Sequence, residues 1–217
     1  LNMCNYHGFR DKVHEVQIDC DWTETTENTY FHLLDEMRYI LHAQGIILSA
    51  TIRLHQLRTS APPVDRGVLM LYNTGSLKHP ETKNSILSNV DAMPYLKRIN
   101  YSLPLDYAFP NFGWGVWFCN NAFQAILHQQ DYSDENLYEQ TDSTHYRVIK
   151  NHYNEGHWLI YGDIIRKEIS DMAVIEQIKQ HLPLSEKNSI IMYHLDEKNL
   201  QNYSNYETTT FYSYPAE

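Results

Sequence analysis

The sequence contains no apolar run approaching the roughly 18 residues that a membrane-spanning helix needs. Positive charge is short: 17 Lys and Arg stand against 27 Asp and Glu, a net charge of −10. That balance repels a phosphate backbone, so nucleic acid is not expected as a partner, while neutral ligands such as sugars remain open. Cysteine is scarce and odd in number. Cys4, Cys20 and Cys119 make no disulfide framework and no Cys-x-x-Cys pair for zinc; Cys20, inside an alternating apolar run, reads as a small core residue. No glycine-rich turn follows the first strand-like segment, which argues against a dinucleotide-binding sheet. No His-x-His or His-Glu-x-x-His spacing occurs, so a metal-dependent hydrolase built on Asp19, Asp21, His55 and His194 ranks last. Neither a metal nor a cofactor is expected.

What is present is 217 residues, 42% hydrophobic and 13% aromatic with 17 Tyr. That is enough for one domain with a sizeable core, and too apolar for low-complexity disorder. Short strand-like runs alternate with helical stretches. Val16–Trp22 reads as a strand, 23–44 as a helix stopped by Gly45, and Ile46–His55 and Gly67–Asn73 as further strands. Asn84–Tyr101 reads as a helix broken near Pro94, and Leu103–Pro110 as a fourth strand that Gly113–Phe118 continues or follows. Residues 119–157 are polar and rich in Tyr, His and Asn; they read as an insertion with one helix near Ser143–Tyr153. Trp158–Glu168 is strand-like, Asp171–His181 helical, Ser189–His194 a last strand and Asp196–Tyr203 a short closing helix before a polar tail. Alternating strands and helices predict a parallel sheet of βα units. The count falls short of a closed eight-stranded barrel. The expected fold is therefore α/β: a single TIM-like (β/α)-barrel domain over 1–217, incomplete in this chain because its first strands lie outside it, with 119–157 inserted.

The first strand carries the strongest chemical signal. In VQIDCDW the period of two puts Gln17, Asp19 and Asp21 on one face, opposite Val16, Ile18 and Cys20. Parallel sheets are ordinarily apolar on both faces, and buried carboxylates are costly unless paired, hydrated or used. On a barrel this polar face is the lumen, with Asp21 nearest the C-terminal mouth where active sites lie. The second strand repeats the pattern with Ser49, Thr51, Arg53 and His55. Arg53 is a natural partner for Asp19 or Asp21, and an arginine favours the ionised carboxylate. Such a group suits a nucleophile, a base or a substrate-orienting role. Asn73, Asp106 with Tyr107, Trp114, and His194 lie at or near the ends of later strands. Each also has a plain structural reading: a salt bridge in the lumen, a surface histidine, a core tryptophan.

The segments VQIDCDWTETTENTYFHLLDEMR, ILSATIRLHQL, RGVLMLYNTGSL, YLKRINYSLPLDYAFPNFGWGVWF and IIMYHLD together resemble a family of bacterial proteins of unknown function with a TIM-barrel-like, glycoside-hydrolase-like fold. The resemblance covers about residues 13–118 and 158–203. It implies Bacteroidetes-type relatives that carry a lipoprotein or secretion signal, hence a periplasmic or cell-envelope location, and strands preceding the QIDCDW segment. A more distant similarity is to chitinase-like barrels, whose strand signature is D-x-x-D-x-D-x-E. Asp19-Cys20-Asp21 matches its paired aspartates, but Thr23 stands two residues after Asp21 and Glu24 stands three after it. Glu24 falls in the first turn of the following helix, where a negative charge is favoured anyway.

Glycoside hydrolysis uses two carboxyl groups flanking the scissile bond. The resulting expectation is a glycoside hydrolase acting on a poly- or oligosaccharide. Asp21 serves as the mouth-proximal acid or else base, Asp19 and Arg53 orient it, and Asp106 is the partner carboxylate. Gln17, His55, Asn73, Tyr107, Trp114 and His194 line the substrate site. The alternative is a non-catalytic glycan-binding or scaffold barrel with the acidic stripe serving structure. The second carboxylate discriminates between the two.

Overall fold

The structure is a computed structural model that describes residues 1–97, 99–201 and 203–214. The end of the polar tail, 215–217, lies outside the described residues. The residues divide into two compact units. The first comprises 1–71, 95–108 and 182–191, and the second 72–94, 109–181 and the chain from Met192 onward.

After a short helix α1 (Asn2–Tyr6), the first unit holds β1 (Glu15–Ile18), α2 (Glu27–His42), β2 (Ile47–Arg53), β3 (Arg66–Met70) and most of β4 (Leu105–Pro110); α3 (Asn89–Leu96), which comes between β3 and β4 in the chain, falls mostly in the second. β1 pairs β2, β2 pairs β3 and β3 pairs β4, all parallel, with Gln17 opposite Ser49, Thr51 opposite Val68 and Val68 opposite Asp106. Helix α2 forms because its apolar positions recur at helical spacing. It buries Tyr30, Leu34 and Leu41. On β2, Leu48, Ala50 and Ile52 are buried, as alternation requires of one face. Ser49 and Thr51 on the other face are buried too.

The second unit is mainly antiparallel: β5 (Gly113–Cys119), β6 (Ala122–Leu127), β7 (Tyr138–Gln140), β8 (His145–Val148), β9 (His152–Asn154), β10 (His157–Leu159) and β11 (Ile164–Ile169). Its five-stranded sheet runs β6-β5-β11-β8-β7, and β9 with β10 forms a separate hairpin. Two of the turns are two-residue loops with positive φ throughout, Asn120-Asn121 and Glu155-Gly156, the geometry that matches strand twist in tight hairpins. Helix α4 (Met172–Lys179) is capped by Asp171, whose carboxylate accepts from the Ala173 N–H. Then come β12 (Ile190–Tyr193), α5 (Glu197–Leu200) and α6 (Asn205–Phe211). β12 lies beside β4, so the parallel sheet has the order β1-β2-β3-β4-β12. It is the curled sheet of an incomplete TIM-like barrel, as the strand and helix alternation predicts.

Several local expectations are corrected. Strand pairing in VQIDCDW ends at Ile18, so Asp19–Trp22 leave the sheet as a loop. Cys20 is exposed rather than in the core. Gly113–Phe118 is not a barrel strand but is paired in the antiparallel sheet between β6 and β11. Ser143–Tyr153 holds β8 and the start of β9 instead of a helix; its Tyr, His and Val residues are strand formers on a half-buried surface. The polar tail contains α6, held by a Ser204/Glu207 capping box and by fully buried Phe211 against Phe109.

Candidate functional site

In the first unit the loop after β1 meets the end of β2. Asp21 Oδ1 accepts from Arg53 Nε at 2.5 Å. Asp19 Oδ1 accepts from the buried Thr51 hydroxyl at 2.7 Å and lies 3.7 Å from Arg53 Nη2. The expected Asp/Arg pairing is therefore present. The two carboxylates are 63% and 67% exposed while Arg53 is 25% exposed, so the guanidinium is the fixed centre and the aspartates present acceptors to solvent. In the same loop Trp22 stacks on Tyr30 of α2 with ring centroids 5.1 Å apart, and both residues are buried. Thr23 lies in the turn that starts α2: its N–H donates to Thr26 Oγ1, and its hydroxyl is 2.9 Å from that of Thr25. Glu24 is exposed and has no side-chain partner among the described residues. Gln17 and His55 are exposed as well, His55 on the short 3-10 turn Leu54–Arg58.

Asp106 is differently placed. It shares a sheet face with Thr51 and Val68 by register, but β4 stands three strand spacings from β1, about 14 Å along the sheet. Its side chain is 5% exposed and bidentate to Arg66, with both contacts at 3.0 Å, and Oδ1 also accepts from the Ser189 N–H at 2.6 Å. Tyr107 alternates to the opposite face and is 1% exposed.

Burial pushes the phenols of Tyr30, Tyr101 and Tyr107 up to about 12, with smaller contributions from Cys20, Asp19 and Asp21 at Tyr30, Glu27 at Tyr101 and Asp106 at Tyr107. These groups hold their protons in the folded state at a pH where the unfolded chain has lost them. Their contribution to stability is therefore complete below about pH 10 and disappears as pH rises toward 12. The urea midpoint is expected to fall between pH 9 and 11.5, in step with tyrosinate absorbance at 295 nm. An unchanged midpoint would contradict the burial argument.

Asn73, Trp114 and His194 belong to the second unit. Asn73 is exposed with φ of 55°, a left-handed conformation that asparagine tolerates better than most residues. Trp114 donates its indole N–H to Glu168 at 2.8 Å, and its ring lies 5.1 Å from that of Phe112. Phe112 stacks on His194 at 6.2 Å, Tyr72 stacks on Tyr193 at 5.1 Å, and the His194 carbonyl accepts from Asn111 Nδ2. Trp114 and His194 thus lie in one aromatic cluster, whose Tyr193 edge is 48% exposed.

Sequence reasoning missed the partners that decide these roles. Arg66 was legible only as a charge before a strand, and nothing in the local pattern ties it to Asp106, 40 residues away. The buried Arg166–Glu168 pair at 2.6 Å was hidden in a segment read simply as strand. Among the described residues no group of three His, Cys, Asp or Glu is arranged to hold a metal ion, and no helix is long and apolar enough to cross a membrane.

No protein-family model matches the sequence, and no curated protein matches it. Solved structures do. A chitinase from Chromobacterium violaceum superposes with a TM-score of 0.51 at 12% identity, covering 90% of this chain and 65% of that one. The spore cortex-lytic enzyme SleL of Bacillus megaterium gives 0.53 at 10% identity, covering 91% and 49%. SleL of Bacillus cereus gives 0.50 at 13%, covering 89% and 47%. This chain thus spans between about half and two thirds of these structures. At such identities the likeness is one of architecture: the chain shares the α/β, TIM-like barrel fold of these structures.

Proposed function

We propose that this chain recognises a poly- or oligosaccharide and does not itself cleave it. The observation that carries the reading is that every carboxylate expected to do acid/base work is already engaged as an acceptor. Asp19 and Asp21 serve Thr51 and Arg53, and Asp106 serves Arg66 and the Ser189 N–H. Thr23 stands where the chitinase-like signature has glutamate. Two-carboxyl hydrolysis places its two groups on opposite sides of the scissile bond, about 5–10 Å apart; Asp19 and Asp21 instead gather on one arginine, and Asp106 stands on β4, about 14 Å along the sheet from β1. The Asp19, Asp21 and Arg53 group does offer what sugar hydroxyls bind: two exposed carboxylates held by a partly buried guanidinium, with charge-assisted geometry. Taken by itself, the second unit has ring faces in the cluster of Phe112, Trp114 and Tyr193, of the kind that apolar sugar faces cover.

The test pairs calorimetric binding with reducing-end release. The probes are hexasaccharides of β-1,4-linked glucose, mannose, xylose and N-acetylglucosamine. Binding without release is expected for one of them, weakened at least tenfold by Arg53→Ala, or about 1.4 kcal/mol. Reducing-end release by the unmodified protein that is lost in Asp21→Asn would overturn the reading in favour of hydrolysis. Absence of binding to all four would overturn it too.

A further inference from the structure

The antiparallel unit has a cleft that the proposed site does not use. It measures about 830 Å³, within the range of roughly 300–1,000 Å³ typical of small-molecule sites. Register fixes which face of the sheet it occupies. Tyr138 and Gln140 alternate onto one face of β7; Gln140 pairs with Tyr146, and Tyr146 pairs with Ile165. Lys167 follows Ile165 on that same face. Trp114, opposite Glu168, lies on the other face with Arg166. The cleft is therefore separate from the aromatic cluster around Trp114.

The floor is firm. Tyr132 and Tyr138 are buried in a core cluster with Leu127, Val148, Leu159 and Ile165. The Tyr132 hydroxyl donates to the Gln129 carbonyl, and the Tyr138 hydroxyl is engaged with His152 and Asn154. The lining groups that remain available are of mixed kind. Among the described residues, Glu135 and Lys167 make no salt bridge or hydrogen bond through their charged ends, Lys167 acting on Asp131 only through its field, and the hydroxyls of Tyr146 and Tyr161 make no hydrogen bond either. Tyr161 is 71% exposed, and Ile149 adds an apolar wall.

That mixture selects a ligand chemistry. A cationic ligand would face Lys167, and an anionic one would face Asp131 and Glu135. A neutral polyol suits the set, because each hydroxyl both donates and accepts: it can donate to carboxylates and accept from an ammonium or a phenol. The tyrosine faces at Tyr146 and Tyr161 suit the apolar side of a pyranose ring. We propose that this cleft is a second saccharide-binding site, carried by the antiparallel unit alone. The proposal rests on the reading of the chain as carbohydrate-binding, but not on the Asp21–Arg53 site.

The test is calorimetric stoichiometry with the four hexasaccharides named above. The ligand that binds is expected to show two sites per chain. Tyr161→Ala with Glu135→Gln removes one site, lowering its affinity at least tenfold. Both residues are exposed, so the doubly substituted chain keeps its fold, which circular dichroism checks. Tyr161→Trp retains the site, because it keeps a ring face. Arg53→Ala removes the other site and leaves this one. One site that survives Tyr161→Ala with Glu135→Gln but is lost in Arg53→Ala would overturn the cleft proposal and leave the first reading standing. One site lost in the Tyr161 and Glu135 variant but kept in Arg53→Ala would support the cleft and overturn the first reading. No binding by any probe overturns both.

Discussion

Replacing Glu168 by leucine is expected to cost the protein about 3–5 kcal/mol, because it strands a buried arginine. Arg166 and Glu168 are both fully buried, and their ion pair at 2.6 Å is part of a larger network. Arg166 Nη1 donates to the carbonyls of His79 and Pro80, and Nη2 donates to that of Leu77. Glu168 Oε2 accepts from the Ser85 hydroxyl at 2.5 Å and from the Trp114 indole at 2.8 Å. Every member is satisfied, so the segment 77–85 is tied to β11 by charge-assisted bonds shielded from water. Leucine removes the countercharge and leaves three donors with carbonyls alone. For a chain of this size the loss corresponds to a fall in melting temperature of roughly 10 °C. Arg166→Met combined with Glu168→Leu is expected to recover at least half of it, since replacing both partners by apolar residues removes the uncompensated charge. Equal loss in the single and double substitutions would mean that shape, not charge, holds this segment.

The parallel sheet was legible because its signals are local. Alternation in ILSATIR and the helical spacing of Phe31, Leu34 and Leu41 can be read within one element. The antiparallel unit was legible only in part. Its strands are three to seven residues long, and their pairing depends on turns such as Asn120-Asn121, an asparagine pair that tolerates positive φ but is a weaker hairpin signal than Asn-Gly. Hence Ser143–Tyr153 reads as a helix when its neighbours in space make it a strand. At the candidate site, the Asp19, Asp21 and Arg53 group followed from β1 lying beside β2, although the two aspartates sit in the loop past Ile18, the last paired residue of β1. The fate of Asp106 did not. It depends on Arg66 and on the backbone of Ser189, 83 residues further along the chain, and a strand pattern records the face a side chain takes but not the partner it meets there.

Asp106→Asn and Asp21→Asn are expected to divide cleanly, the first in stability and the second in binding. Asp106 receives three donors: two from Arg66 and one from the Ser189 N–H. Asparagine has one acceptor oxygen, and its amide nitrogen must point a donor at another donor. Breaking a buried pair costs about 3–5 kcal/mol, and Arg66 at 27% exposure recovers part of that from water. A loss of about 2–3 kcal/mol in urea unfolding is therefore expected, with saccharide affinity changed less than twofold. Asp21 is 67% exposed, and an exposed pair contributes only about 0–1 kcal/mol, so Asp21→Asn leaves the urea midpoint nearly in place. Its affinity for the saccharide falls several-fold, because the carboxylate that Arg53 orients toward solvent is lost. The two residues thus separate a carboxylate that holds the sheet together from one that faces a ligand. Were Asp106→Asn to leave stability intact and abolish binding, Asp106 would be a ligand group after all, and the two-carboxyl chemistry set aside above would return.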